Sequence, residues 1–152
     1  MTENKETLSV KEQESISAAV LALVKSYETF PKTITSKQIH IDELKSAVCI
    51  GIFPTTGAVV TKRYISGAFE AQFPFDLLYK CNPTTNDAVI EARKVVDDLA
   101  KWLEDTQYPG LTDGTEIQSI HRVTTAALAG KTENGASVFK CSCTLKYFKK
   151  RR

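Results

Sequence analysis

From Phe69 to Cys81 every second residue is apolar: Phe69, Ala71, Phe73, Phe75, Leu77, Tyr79 and Cys81 alternate with Glu70, Gln72, Asp76 and Lys80. Strand side chains point alternately to the two faces of a sheet, so this run predicts one long strand with a single buried face. Val59 to Ile65 and Ala68 to Cys81 read as the two arms of a hairpin flanking Ser66-Gly67, with Gly67 supplying the positive φ that a tight turn demands. Pro74 cannot donate to a ladder, so the long strand is expected to be an edge, or to bend, at that point.

A sheet with one apolar face needs a layer to cover it, and two helix patterns supply one. Ser9 followed by Glu12 is a capping-box pairing, and Ile16, Ala19, Val20, Leu23, Val24 and Tyr27 step by three and four residues until Pro31. Thr84 with Asp87 repeats the pairing, and Ala88, Ala92, Val95, Val96, Leu99, Trp102 and Leu103 form a second stripe before Tyr108-Pro109-Gly110. Glu91, Lys94, Asp98 and Lys101 make the opposite face of that helix charged. Ala47 to Phe53 reads as a buried strand closed by a turn from Pro54 to Gly57, and Gln38 to Ile41 as a short strand. A helical turn over Ile41 to Leu44 is the alternative there. Ile117 to Leu128 and Ala136 to Phe148 read as two strands joined through Asn134-Gly135, the second with Phe139, Cys141, Cys143, Leu145 and Tyr147 on one face. The predicted fold is α+β, a mainly antiparallel sheet with two main helices packed on it, in one domain over residues 1–152. A flexible N-terminus of about residues 1–8 and a basic tail, 149–152, flank it.

The longest apolar run, Ala18 to Val24, is too short to cross a bilayer, and the polar start from Met1 to Glu6 lacks the layout of a signal peptide. No membrane is expected. Cys49, Cys81, Cys141 and Cys143 all fall in apolar, strand-like stretches, which predicts core thiols in a reducing compartment. Cys141 and Cys143 are one residue apart where zinc sites prefer two to four, and His40 and His121 lie far away in sequence, so no metal site is expected. A thiol nucleophile would need an activating neighbour, and Cys81, just before the Thr84 cap, comes nearest to having one. Asp97 and Asp98 are adjacent on a helix and point in different directions, which suits a surface rather than an acid–base pair. No P-loop, dinucleotide fingerprint or nucleophile elbow occurs, and neither an enzyme nor a cofactor is expected.

Charge is uneven along the chain. Of a formal net charge of +2, six basic residues and no acid lie from Lys140 onward, leaving the preceding residues at −4. The end, Lys146 to Arg152, interleaves Tyr147 and Phe148 with cations, a pattern that can contact phosphates and stack on bases. The acidic remainder weighs against direct nucleic-acid binding, and Lys149, Lys150, Arg151 and Arg152 read instead as a frayed, solubilising terminus or as an interface for an acidic partner surface.

The run from Tyr64 to Glu104 resembles a family of small tailed-phage and prophage proteins, the minor capsid proteins, similar in layout to tail terminators. The resemblance lies in Tyr64, Ile65 and Gly67 of the hairpin, in Phe73-Pro74-Phe75, in the polar linker with Thr84 and Thr85, and in a helix end with Asp98, Leu99, Trp102 and Leu103. The hairpin after Asp113 resembles it more loosely. What the resemblance implies is a virion structural protein without catalysis, made in the bacterial cytoplasm and located at the tail or head–tail junction. A terminator-like member would form a homo-oligomeric ring, commonly a hexamer, between the tail-tube protein and the head-completion or connector proteins. The alternative is a small nucleic-acid-binding module using the basic end.

Overall fold

The computed structural model of the 152-residue chain describes residues 6–30, 34–35, 38–44, 48–110, 114–132 and 134–150. The architecture is α+β. Among these residues are the strands β1 (Glu6–Thr7), β2 (Ile39–Ile41), β3 (Cys49–Pro54), β4 (Val59–Arg63), β5 (Phe69–Cys81), β6 (Thr115–Arg122), β7 (Ala127–Lys131) and β8 (Ser137–Lys149). The helices are α1 (Val10–Lys25) and α2 (Asn86–Asp105). All these strands join one sheet, antiparallel except for the β2–β3 pair.

The sheet is built outward from β5 and β8, which pair in continuous register from Phe69↔Lys149 to Cys81↔Ser137. Each central strand is flanked on its other side by two shorter strands placed end to end. β4 and β3 follow one another along β5, and β6 and β7 along β8. β1 extends the sheet beyond β4, and β2 extends it beyond β3. The β1 pairing draws Glu6 and Thr7, expected in a flexible N-terminus, into the sheet.

The long alternating strand is therefore central rather than an edge, which corrects the expectation drawn from Pro74. The ladder of β4 with β5 stops at Val59↔Gln72 and that of β3 begins at Pro54↔Phe75. Pro74 lies in the gap between them, where its carbonyl accepts from Thr55 N–H at 3.1 Å. A strand residue's N–H and C=O point the same way, so the donor that proline lacks faces this break rather than β8. A lost hydrogen bond costs on the order of 1 kcal/mol, less than burying either neighbouring phenylalanine contributes.

Both breaks are bridged by side chains from helices. Gln13 of α1 accepts from Ala58 N–H at 2.5 Å and donates to Ala58 O at 2.8 Å, standing in for a missing strand partner. Asp97 of α2 accepts from Ala126 N–H at 2.8 Å, and Thr124 Oγ1 accepts from Ser142 N–H at 3.0 Å. That second break divides the stretch from Ile117 to Leu128, expected as one strand, into β6 and β7.

The helices begin at their side-chain caps. Ser9 Oγ accepts from Glu12 N–H at 3.3 Å, while the Glu12 carboxylate pairs with Lys149 instead of completing the box. The second cap is Thr85, not Thr84, with Oγ1 accepting from Ala88 N–H at 3.1 Å. α1 ends at Lys25, where Ser26 Oγ donates to Leu23 O, and Pro31 lies outside the described residues. Past the end of α2, Tyr108 folds back so that its hydroxyl donates to Leu103 O at 2.6 Å and accepts from Ile120 N–H at 3.2 Å. The orphan carbonyl at the helix end is satisfied in this way.

One face of the sheet meets both helices in a single core. Phe73, Phe75 and Leu77 of β5 and Phe139, Cys141, Cys143, Leu145 and Tyr147 of β8 pack there with Ile16, Val20 and Val24 of α1 and Val96, Leu99 and Leu103 of α2. The other face carries half-buried and exposed polar groups, including Gln72, Asp76, Lys140 and Lys146, with Ser142 Oγ donating to Asp76 at 2.6 Å. β2 forms as a strand, and Ile41 to Leu44 forms no helix. Those residues lead onto the outer face: a Cβ on Gly51 would lie 2.9 Å from Glu43 O and from a Leu44 methyl.

The β4–β5 hairpin closes through Tyr64 N–H to Ala68 O and Gly67 N–H to Tyr64 O, both at 2.9 Å, with Gly67 at φ +92°. Thr132 and Ala136 close the β7–β8 hairpin in the same pattern, with Gly135 at φ +82°. Each glycine follows the turn in the left-handed region, so these are three-residue loops rather than two-residue ones. Replacing Gly67 with valine is expected to cost about 1–3 kcal/mol. Thermal denaturation of Gly67→Val checks this, and an unchanged midpoint would contradict the positive φ.

Candidate assembly surface

The residues that carry the family resemblance do not converge on one site. Phe73 and Phe75 lie side by side in the core, with ring centroids 6.0 Å apart. Pro74 sits at the break in the flanking strands, and Gly67 forms the hairpin loop. Trp102 is half-buried where α2 meets the end of α1, its ring centroid 5.1 Å from that of Tyr27, which in turn packs edge-on against Phe30. Tyr64 reaches the surface, where its hydroxyl donates to Glu70 at 2.9 Å and its ring lies 5.9 Å from that of Phe148, and Ile65, Thr84, Thr85 and Asp98 are exposed as well. Together they fix a hairpin, a central strand and a helix.

The cysteines are four buried thiols. Cys141 Sγ donates to Thr124 O at 3.0 Å. A hydrogen bond shared with Cys143 draws the Cys141 thiol below the ordinary range, and the same bond together with burial pushes Cys143 up. Burial likewise pushes Cys81 up, the reverse of what activation of that thiol requires. His40 is on β2 and His121 on β6, at opposite edges of the sheet. Among the described residues no group of three or more His, Cys, Asp or Glu side chains is placed to hold a metal ion. No described helix is long and apolar enough to cross a membrane. Asp97 and Asp98 do point apart: Asp97 holds the break between β6 and β7, and Asp98 is exposed.

The basic end is built into the sheet further than its composition implies. Lys149 is the last residue of β8, half-buried between Phe69 and Thr115 and ion-paired with Glu12, and Lys150 N–H donates to Gly114 O at 3.2 Å. The tail of 149–152 is thereby shortened, and Arg151 and Arg152 lie outside the described residues. The register also places Lys62 and Arg63 of β4 at this same end of the sheet, since Arg63 pairs with Phe69 and Phe69 with Lys149. Lys62 lies 5.0 Å from the Tyr64 ring centroid, and Arg63 5.5 Å from that of Phe69. Nothing in the local sequence announces this junction, because it is made by the β5–β8 pairing.

Two apolar features stand out on the surface. Ile65, at the tip of the β4–β5 hairpin, has a relative exposure of 106%, so its side chain stands clear of the other described residues. Along α1 runs a groove of about 690 Å³ lined by Val10, Ala18, Leu21, Ile41 and Pro54, with the buried Phe73 beneath them. The charged residues in its lining, Glu14 and Asp42, are both acidic. Sequence reasoning missed both features; the signal for the tip was an isoleucine inside a glycine-closed turn, where polar residues are the rule.

The sheet also ends in a bare strand. All five residues of β7 are exposed, among the described residues they pair only with β8, and Ala127, Leu128, Ala129 and Gly130 carry no charge that would discourage further pairing.

No model of a known protein family matches the chain, and neither does any curated protein. The resemblance of Tyr64 to Glu104 to phage minor capsid proteins rests on those residues alone.

Removing Arg151 and Arg152 is expected to leave the melting temperature unchanged, because none of the described contacts is lost. Ending the chain at Phe148 also removes the last rung of β8 and the partly buried pair with Glu12, and should cost about 1–3 kcal/mol. Thermal melts of the two truncations check this, and equal midpoints would contradict the role given to Lys149.

Proposed function

We propose that the chain is a structural virion protein of a tailed phage or prophage, a tail terminator that caps the tail tube and joins it to the head-completion proteins. The observation that carries this reading is the combination of residues from Tyr64 to Glu104. They are not scattered through the fold but make one continuous piece, from the hairpin tip through the central strand to the end of α2. The surface of the fold is suited to fitting against other subunits: a projecting apolar hairpin tip, an acid-rimmed apolar groove and an exposed edge strand whose one charge is Lys131 at its end. In this reading the protein acts as a closed homo-oligomer, a hexamer in the assembled particle. A ring repeats one heterologous contact until it closes.

Deleting the gene from its phage and imaging lysates by electron microscopy tests the proposal. The expected result is overlong tail tubes unattached to heads, beside filled heads, since nothing caps polymerisation. Tails of normal length joined to heads would overturn it.

A second reading is favoured by one specific arrangement, the placing of Lys62 and Lys146 on the outer face of the sheet with the rings of Tyr64 and Phe148. In that reading the chain is a nucleic-acid-binding module. Neutralisation of phosphates releases counterions, so binding by this patch should weaken steeply with salt and be much reduced in Lys62→Ala/Lys146→Ala. Fluorescence anisotropy with duplex and single-stranded DNA measures it, and absence of binding at low salt removes this reading.

A further inference from the structure

We infer that the hairpin tip around Ile65 docks into the α1 groove of a second copy of this chain, giving a head-to-tail contact between subunits. The inference rests on the ring reading above and names the surfaces that would make the ring. Its first ground is complementary shape and polarity. Ile65 is a single large aliphatic side chain that is fully exposed and stands clear of the other described residues, held at the end of a hairpin that Gly67 closes. The groove offers Val10, Ala18, Leu21, Ile41 and Pro54 as an apolar receptor, and Val10 is itself 73% exposed. Both surfaces expose apolar area to water that association would bury.

The second ground is charge. Lys62 and Arg63, both exposed, lead into the tip, Lys62 lying 5.0 Å from the Tyr64 ring centroid, and Glu70 there accepts from the Tyr64 hydroxyl. The charged residues lining the groove are Glu14 and Asp42, also exposed. A basic collar around an apolar plug thus faces an acidic rim around an apolar cleft, which selects this pairing over tip against tip or groove against groove. Because tip and groove are different patches of one surface, the contact is heterologous. An open chain of subunits keeps one unused tip at one end and one unused groove at the other until a ring closes.

Cysteine trapping on the full chain tests the contact directly, with the four native thiols buried and so silent. Ile65→Cys protein is mixed with Ala18→Cys protein under mild oxidation, at concentrations up to the solubility limit. The expected product is a mixed disulfide dimer at least tenfold above either like-with-like product, and a ladder of closed size when both substitutions are in one chain. Glu14→Lys in the Ala18→Cys partner should reduce the yield severalfold, and Lys62→Glu in the Ile65→Cys partner should restore it. A dominant disulfide between two Ile65→Cys chains, or no mixed product, overturns the proposal. So does a mixed product that forms only after residues 1–5 are deleted, since the groove would then belong to the chain's own N-terminus. Electron microscopy of the same samples separates the two levels: rings without the tip-to-groove disulfide refute this contact alone. The ring reading itself is judged by the gene deletion.

Discussion

The antiparallel pairing of β5 with β8 is the constraint on which the remainder of the structure depends. Its unbroken register from Phe69↔Lys149 to Cys81↔Ser137 places two apolar faces side by side, and the resulting surface is wide enough to hold both helices. Burying a phenylalanine or leucine side chain contributes roughly 1.5–3 kcal/mol, so Phe73, Phe75, Leu77, Phe139 and Leu145 together outweigh any single ladder bond. That imbalance explains why a proline is tolerated in the central strand. It also explains why the flanking strands can be broken: the two central strands are fixed by their buried face, and their outer ladders need only be patched. Gln13 and Asp97 do the patching, one from each helix, so the helices that cover the core also repair the sheet.

Much of this was legible in the sequence, for local reasons. The period of two in β5 and β8, the stripes of α1 and α2 and the glycines of the two hairpins each encode a conformation within a few residues. The parts that were not legible depend on distant partners. Whether Pro74 marks an edge depends on where β3 and β4 end along β5, which side chains near Pro74 do not record. The division between β6 and β7 depends on Asp97, 29 residues from the Ala126 amide it holds. Thr84 and Thr85 are equally good caps by composition, and the choice between them was made by where the chain leaves β5.

The candidate surface was less legible than the fold. The resemblance drew attention to Tyr64, Ile65, Gly67, Phe73, Pro74, Phe75 and Trp102, most of which hold the framework, whereas the exposure of Ile65 at the tip and the acid-rimmed groove are read from the structure. The basic end illustrates the same limit. In sequence it is a tail, but in the sheet Lys149 is a strand residue tied to α1, and Lys62 and Arg63 join it across the β4–β5–β8 register. A charge cluster assembled from three strands cannot be seen in any one of them.

In the reading proposed above, this fold is a repeated part, positioned by its own neighbours in a larger particle. A cryo-electron microscopy reconstruction of the virion at the head-proximal end of the tail tests that claim most directly. The expected result is a closed ring of copies of this chain seated on the tail tube, with the Ile65 tip of each in the α1 groove of the next. A virion that lacks the chain, or holds it as isolated copies that do not touch one another, would contradict it.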